Sequence, residues 1–246
     1  MLGLTGAGTL LSRPSLAIGD ESQVTIARLD YTGGGGTARP SAIRRLLQEV
    51  EKRTSVAVDP DYPTLPATSK RLFQQPFVAM LGDQKFDPLS NKVIKQMRTY
   101  LQSGGFLFVD SSEGVSDGPF LSSVRRDLGR MFPDKEIAKV PSDHVLYKSF
   151  YLIDDPVGRI DISDDLLAIF DSDRLYAVVS QNDLFGALAR DNFGKWKYTV
   201  RPGGEKQREM AFRLGINLVM YALCVNYKAD QVHVPFILKR RKWKVD

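Results

Sequence analysis

An α/β fold, with a mostly parallel sheet and helices on both faces, is predicted by three features of the sequence. Apolar runs at residues 77–81 and 106–109 show no polar alternation, as expected of strands buried on both faces. Segments of helical periodicity at 41–52, 90–102 and 120–132 separate such runs, and strand–helix alternation is the pattern of parallel pairing. A glycine cluster, Gly33 to Gly36, joins the first strand to the first helix.

The elements follow in order. Val24, Ile26 and Leu29 alternate within Gln23–Tyr31, which reads as the first strand. From Ser41, the residues Ile43, Leu46, Leu47 and Val50 fall on one helical face, with Arg44, Arg45, Glu49 and Lys52 opposite. Ser55–Val58 reads as a short second strand, closed by the turn Asp59–Pro63. The run Phe77–Leu81 ends at Gly82-Asp83. A helix over Ser90–Gln102 follows, with Val93, Ile94, Met97 and Leu101 inward and Gly104-Gly105 as its stop. The strand Phe106–Val109 leads into the loop Asp110–Gly114, and Phe120–Phe132 forms the next helix, halted by Pro133. Further strands are expected at Glu136–Val140, Phe150–Ile153, Leu166–Phe170 and Leu175–Ser180, the last two joined by Asp171–Arg174. Glu205–Val225 is the longest helix, and Cys224 falls in its apolar stretch as a core residue. Residues 18–238 contain no linker, repeat or low-complexity block, so one domain is the simplest organisation.

The composition narrows the function classes. A chain of 246 residues with 43% hydrophobic and 26% charged residues is an ordinary globular sequence, which excludes disordered, collagenous and polytopic membrane classes. A single cysteine excludes an intramolecular disulfide and a thiolate zinc site, and His144 and His233 leave little for a histidine metal centre. No metal and no cofactor is predicted. The net charge of +5 sits at the ends of the chain: Lys239, Arg240, Arg241, Lys242 and Lys244 carry most of it and Arg13 the rest, leaving residues 14–238 balanced. A neutral body argues against nucleic acid as a partner. The basic tail 239–246 is a candidate for peripheral contact with anionic lipid, the alternative being a solvated C-terminus.

Residues 1–17 read as the remnant of an export signal. A short apolar stretch, Leu2 to Leu11, precedes a small-residue cleavage pattern ending at Ala17. Its glycine-rich character resembles twin-arginine signals, whose Arg-Arg motif a late start codon would remove. A periplasmic location is the expectation, and the alternative is a glycine-rich arm on a cytoplasmic protein.

Ligands of open parallel sheets bind beyond the C-terminal edge of the strands. Asp30, Gly34, Gly35, Asp83, Asp110, Ser111, Asp143 and His144 are therefore the candidate ligand-binding residues. Ser111 or Ser112, with His144 as base and Asp143 or Asp110 behind it, forms a candidate nucleophile set. Each has a structural alternative: helix caps, a polar loop and a hydrogen-bonded histidine. The loop also fits a G-x-G-x-x-A pattern at Gly33, Gly35 and Ala38, with Asp59 at the ribose position, but Arg39-Pro40 stands where the helix should be running. Dinucleotide binding is rejected on that detail. Gln181-Asn182-Asp183 follows a strand and offers polar contacts to the same edge. Phe193, Trp196 and Tyr198 lie among Arg190, Lys195, Lys197 and Arg201, either as stacking groups for sugars or bases or as anchors of a solvated loop.

Arg28-Leu29-Asp30-Tyr31 before the glycine loop, Phe77–Gly82, the run Tyr100–Asp110, Phe132-Pro133 and Ser142–Tyr147 together resemble an uncharacterised bacterial domain family. Members of that family are often exported by the twin-arginine route, and their genes lie near those of MoxR-type ATPases and von Willebrand factor A-type proteins. The family is similar in turn to the flavodoxin-like, class I glutamine amidotransferase-like fold, including trehalose-utilisation proteins. In the amidotransferases the turn after the matching strand bears a cysteine, whereas here it is Asp110-Ser111-Ser112. The resemblance thus implies the fold and a cleft without glutaminase chemistry. The expected function is an exported module binding a small molecule, carbohydrates included, or a protein. The alternative is a hydrolase or carbohydrate-active enzyme using Asp, Ser and His residues at the sheet edge.

Overall fold

The computed structural model describes residues 23–36, 39 and 41–241, without the side chains of 225–241. Seven strands among these residues form one sheet: β1 (Ile26–Asp30), β2 (Thr64–Pro66), β3 (Phe77–Gly82), β4 (Phe106–Ser111), β5 (Ile137–Lys139), β6 (Leu167–Asp171) and β7 (Arg174–Ser180). Their order is β2-β1-β3-β4-β7-β6-β5. The first five in that order run parallel, β6 is antiparallel to β7, and β5 is antiparallel to β6. The helices are α1 (Ala42–Arg53), α2 (Asn91–Gln102), α3 (Pro119–Met131), α4 (Leu184–Leu188) and α5 (Gly204–Arg241). This is an α/β, flavodoxin-like arrangement.

Strand alternation divides the interior into two layers. Phe77, Ala79, Phe106 and Phe108 face α1, α4 and α5. Val78, Met80, Leu107 and Val109 face α2 and α3. Both layers are dry apolar packings, and β3 and β4 are buried along their whole length, as their unbroken apolar runs required.

Four expectations are corrected. Ser55–Val58 is not a strand: Val58 makes one isolated bridge to Val24, and the strand beside β1 is Thr64–Pro66. Pro66 can occupy it because β2 is the edge of the sheet, where a missing N–H goes unused. Phe150–Ile153 is irregular as well. Asn217 of α5 supplies what a neighbouring strand would, accepting from the Tyr151 N–H at 2.7 Å and donating to the Leu146 and Tyr151 carbonyls. Cys224 is exposed rather than part of the core. The longest helix starts at Gly204 and continues past Val225 to Arg241. The segment read as a signal remnant, 1–17, and the side chains of the basic tail 239–246 lie outside the described residues. No helix among the described residues is long and apolar enough to cross a membrane.

Candidate functional site

Alternation at the end of β4 sends two adjacent polar side chains in opposite directions. Asp110 follows Phe108 toward α4, and its carboxylate accepts from the Leu184 and Phe185 N–H groups, both at 2.8 Å. Asp183, immediately before α4, has a left-handed backbone (φ 52°) and caps the same helix by accepting from the Gly186 N–H at 3.0 Å. The Asp183 side chain is fully buried and takes Arg39 as a two-point ion pair, at 3.0 and 2.7 Å, and the Nε of Arg159 as well. Arg39 lies 4.1 Å over the ring of Tyr198 and donates to its hydroxyl at 2.9 Å. The far end of the glycine loop is therefore fastened to the β7–α4 turn.

These charges do not behave alike. Burial raises the Asp110 pKa, and the neighbouring Asp183 charge raises it further; the Phe185 and Leu184 N–H groups and the Arg39 charge pull it down, and the carboxyl ends up at about 8. Burial works against the Arg39 charge, but the hydrogen bonds and charge of Asp183 outweigh it and hold the guanidinium above its ordinary value.

Ser111 points the other way, toward α3, and is fully buried. Its Oγ donates to Glu113 at 3.1 Å, and the Glu113 carboxylate accepts from the Phe120 and Leu121 N–H groups at 2.7 and 3.1 Å. Glu113 thereby caps α3, whose start is already marked by Pro119 at its first turn. Ser112 is held by the Gly82 carbonyl through both its N–H, at 2.9 Å, and its Oγ. The turn after β4 is thus closed by its own side chains.

His144 is at the opposite end of the sheet. Its Nδ1 accepts from the Leu146 N–H, which places the proton on Nε2 for donation to the Asp173 carbonyl at 3.0 Å. Asp173 sits in the β6–β7 turn, before β7 begins, whereas Asp110 pairs with Ser180 at the end of β7. Six strand residues, roughly 20 Å, separate the two ends. Asp143 is exposed beside His144. The structure does not bring Ser111 or Ser112 together with His144 and Asp143, so the candidate nucleophile set is not assembled.

The remaining candidates do converge, at the ends of β1 and β3. The Gly34 carbonyl accepts from the Asp83 and Gln84 N–H groups at 2.9 and 3.3 Å. Gly35 has φ +70°, and a Cβ there would stand 1.8 Å from the Asp83 Oδ1. Tyr31 passes beneath the loop, donates to the Leu81 carbonyl at 2.5 Å and packs edge-on against Phe86. Two open hollows flank Asp30 and Tyr31. One, of about 520 Å³, is bounded by Arg28, Thr64, Gln84 and the glycine loop. The other, of about 430 Å³, lies between the β1 and β2 ends and α2, with Thr32, Thr68, Asp87 and Ser90 on its walls. Both flank the C-terminal end of β1, the strand that borders the β1/β3 switch point at which such sheets bind ligands. Among the described residues no group of three or more His, Cys, Asp or Glu side chains is placed to hold a metal ion.

Arg28, Asp87, Glu113 and Arg159 are not among the candidate site residues read from the sequence, although Arg28 belongs to the motif that carries the family resemblance. Arg28 was within reach, since it shares a strand face with Asp30 at period two; Arg159 lies in an irregular segment with no such signal. A family model described as "Domain of unknown function (DUF4159)" matches residues 25–223. No curated protein matches the chain.

Proposed function

The chain belongs to that family of unknown function, and we propose that it serves as an exported binding module of amidotransferase-like fold that has no glutaminase chemistry. One observation carries this reading. The turn where a nucleophile would stand is filled from within, Ser111 being buried on the Glu113 carboxylate that caps α3, while an open polar groove lies beside the β1/β3 switch point. Binding at a preformed groove needs no base or nucleophile. A thermal-shift screen of sugars, nucleotides, amino acids and peptides tests it, because a ligand that binds only the folded state raises its stability. At least one class should raise the melting temperature of the wild type and not that of Asp30→Ala. A panel without any such response would remove the proposal.

The hydrolytic alternative is favoured by one feature, the two carboxylates Asp30 and Asp87 on the walls of a single hollow, the arrangement acid–base glycoside cleavage uses. Turnover of chromogenic glycosides, abolished in Asp30→Asn and Asp87→Asn, would support it. Export is proposed from the character of residues 1–17, and cell fractionation with sequencing of the mature N-terminus tests it. Contact of the basic tail with anionic lipid is a separate proposal, to be tested by vesicle sedimentation with and without residues 239–246.

A further inference from the structure

We infer that the groove takes a short, extended zwitterion of the peptide class, its ammonium end against Asp30 and Asp87 and its carboxylate end against Arg28. The inference rests on the binding reading above and specifies the ligand. Its starting point is that Arg28, Asp30 and Asp87 make no hydrogen bond or ion pair through their side chains with any described residue. Asp183 is engaged with Arg39, Asp110 with α4 and Glu113 with α3, while Asp83 stands against Gly35 and is on the wall of neither hollow. Charged side chains left without partners on the walls of a hollow are the groups available to a ligand.

The unpaired charges are also sorted by sign. The hollow beside α2 has Asp30 and Asp87 on its walls and no basic residue, whereas the one beside the glycine loop has Arg28. Asp30 and Tyr31 stand on the walls of both, so the two hollows adjoin across the end of β1, and a ligand lying over that end would meet opposite charges on its two sides. Arg28 and Asp30 share a face of β1 two residues apart, about 7 Å by strand rise. That exceeds the separation of the charges in a single α-amino acid and suits a di- or tripeptide with free ends. Pro66, Leu89 and Val93 line the hollow of Asp30 and Asp87, which takes the ammonium end, so the first residue of the peptide should be apolar. A neutral polyol of the same size would cover Arg28 and Asp87 without supplying a counter-charge to either.

Titration calorimetry on the full chain tests this with leucyl-alanine and leucyl-alanyl-alanine, their N-acetyl and C-amide forms, and maltose. The free peptides should bind, and blocking either end should weaken binding about tenfold or more, as loss of a charge-assisted hydrogen bond does. Arg28→Gln should weaken the free peptide and leave the C-amide unchanged, while Asp87→Asn should weaken the free peptide and leave the N-acetyl form unchanged. Equal binding of free and blocked peptides, or no binding of the free peptides, overturns the inference. Maltose binding that Asp30→Ala abolishes, with no peptide binding, overturns it while leaving the binding module intact. Silence of every class in the wider screen overturns both.

Discussion

Asp110 and Asp183 reach the N-terminus of one five-residue helix from the ends of two different strands, the first through Leu184 and Phe185, the second through Gly186. Two buried carboxylates on one helix end would repel each other. The arrangement holds because Asp110 keeps its proton up to about pH 8, while the N–H groups of the helix end, Arg39 and Arg159 hold the Asp183 charge.

Removing Asp183 should therefore be among the most damaging single changes in the protein. Asp183→Ala leaves Arg39, only 10% exposed at its side chain, and Arg159 without their shared counter-charge and strips a cap from α4. Loss of one member of a buried pair costs about 3–5 kcal/mol. Urea unfolding should show a midpoint shift of that size, and Arg39→Met with Asp183→Leu together should recover part of it.

Asp110 predicts a direction for stability against pH. Its pKa is raised from 3.8 in the unfolded chain to about 8 in the fold, so the native state holds a proton the unfolded state has lost between those values. The contribution of this group is fully present below pH 4 and is lost as pH rises toward about 8. Denaturation midpoints measured from pH 5 to 8 should fall more steeply in the wild type than in Asp110→Asn.

Two glycines of the loop system should differ in their tolerance of a methyl group. At Gly82 a Cβ would meet the Phe120 ring at 2.2 Å and the Gly34 carbonyl at 2.5 Å, and neither can withdraw without moving the loop. Gly35→Ala meets chiefly the end of the mobile Asp83 side chain and bears the left-handed backbone penalty, about 1–2 kcal/mol. Gly82→Ala should lower the melting temperature more than Gly35→Ala, and a reversed order would contradict the packing described.

Ser111→Ala and His144→Ala separate the binding and catalytic readings. Ser111→Ala removes the hydrogen bond donated to the Glu113 carboxylate and the one accepted from the Glu113 N–H, and should cost about 1–3 kcal/mol. Both variants should bind the ligand found in the screen as tightly as the wild type. A loss of binding or turnover in either one would return the β4 turn or His144 to the functional account.

Much of this architecture was legible in the sequence where periodicity was long enough to speak. β3 and β4 announce themselves by the unbroken apolar runs Phe77–Leu81 and Phe106–Val109, and α2 by its inward face and the Gly104 stop. The β2 strand was displaced because three residues at a sheet edge, one a proline, carry no alternation. Phe150–Ile153 looked like a strand because aromatic and aliphatic residues are dense there; Phe150 and Leu152 are in fact exposed. Of the candidate site, Asp30, Gly34, Gly35 and Asp83 do cluster, since loops after neighbouring parallel strands must. His144 could not be placed, because the edge it occupies depends on β6 and β7 reversing as a hairpin, and pairing direction is a tertiary property.

The clasp between Arg39 and Asp183 joins positions 144 residues apart. A contact so distant depends on β7 being in place in the sheet, so the end of the glycine loop is secured by the second half of the chain. A nascent chain that has released β1 to β4 would already own every strand bordering the groove and still lack the fastening for its loop. The loop beside the hollows is consequently held by the half of the chain that contributes no strand to their walls.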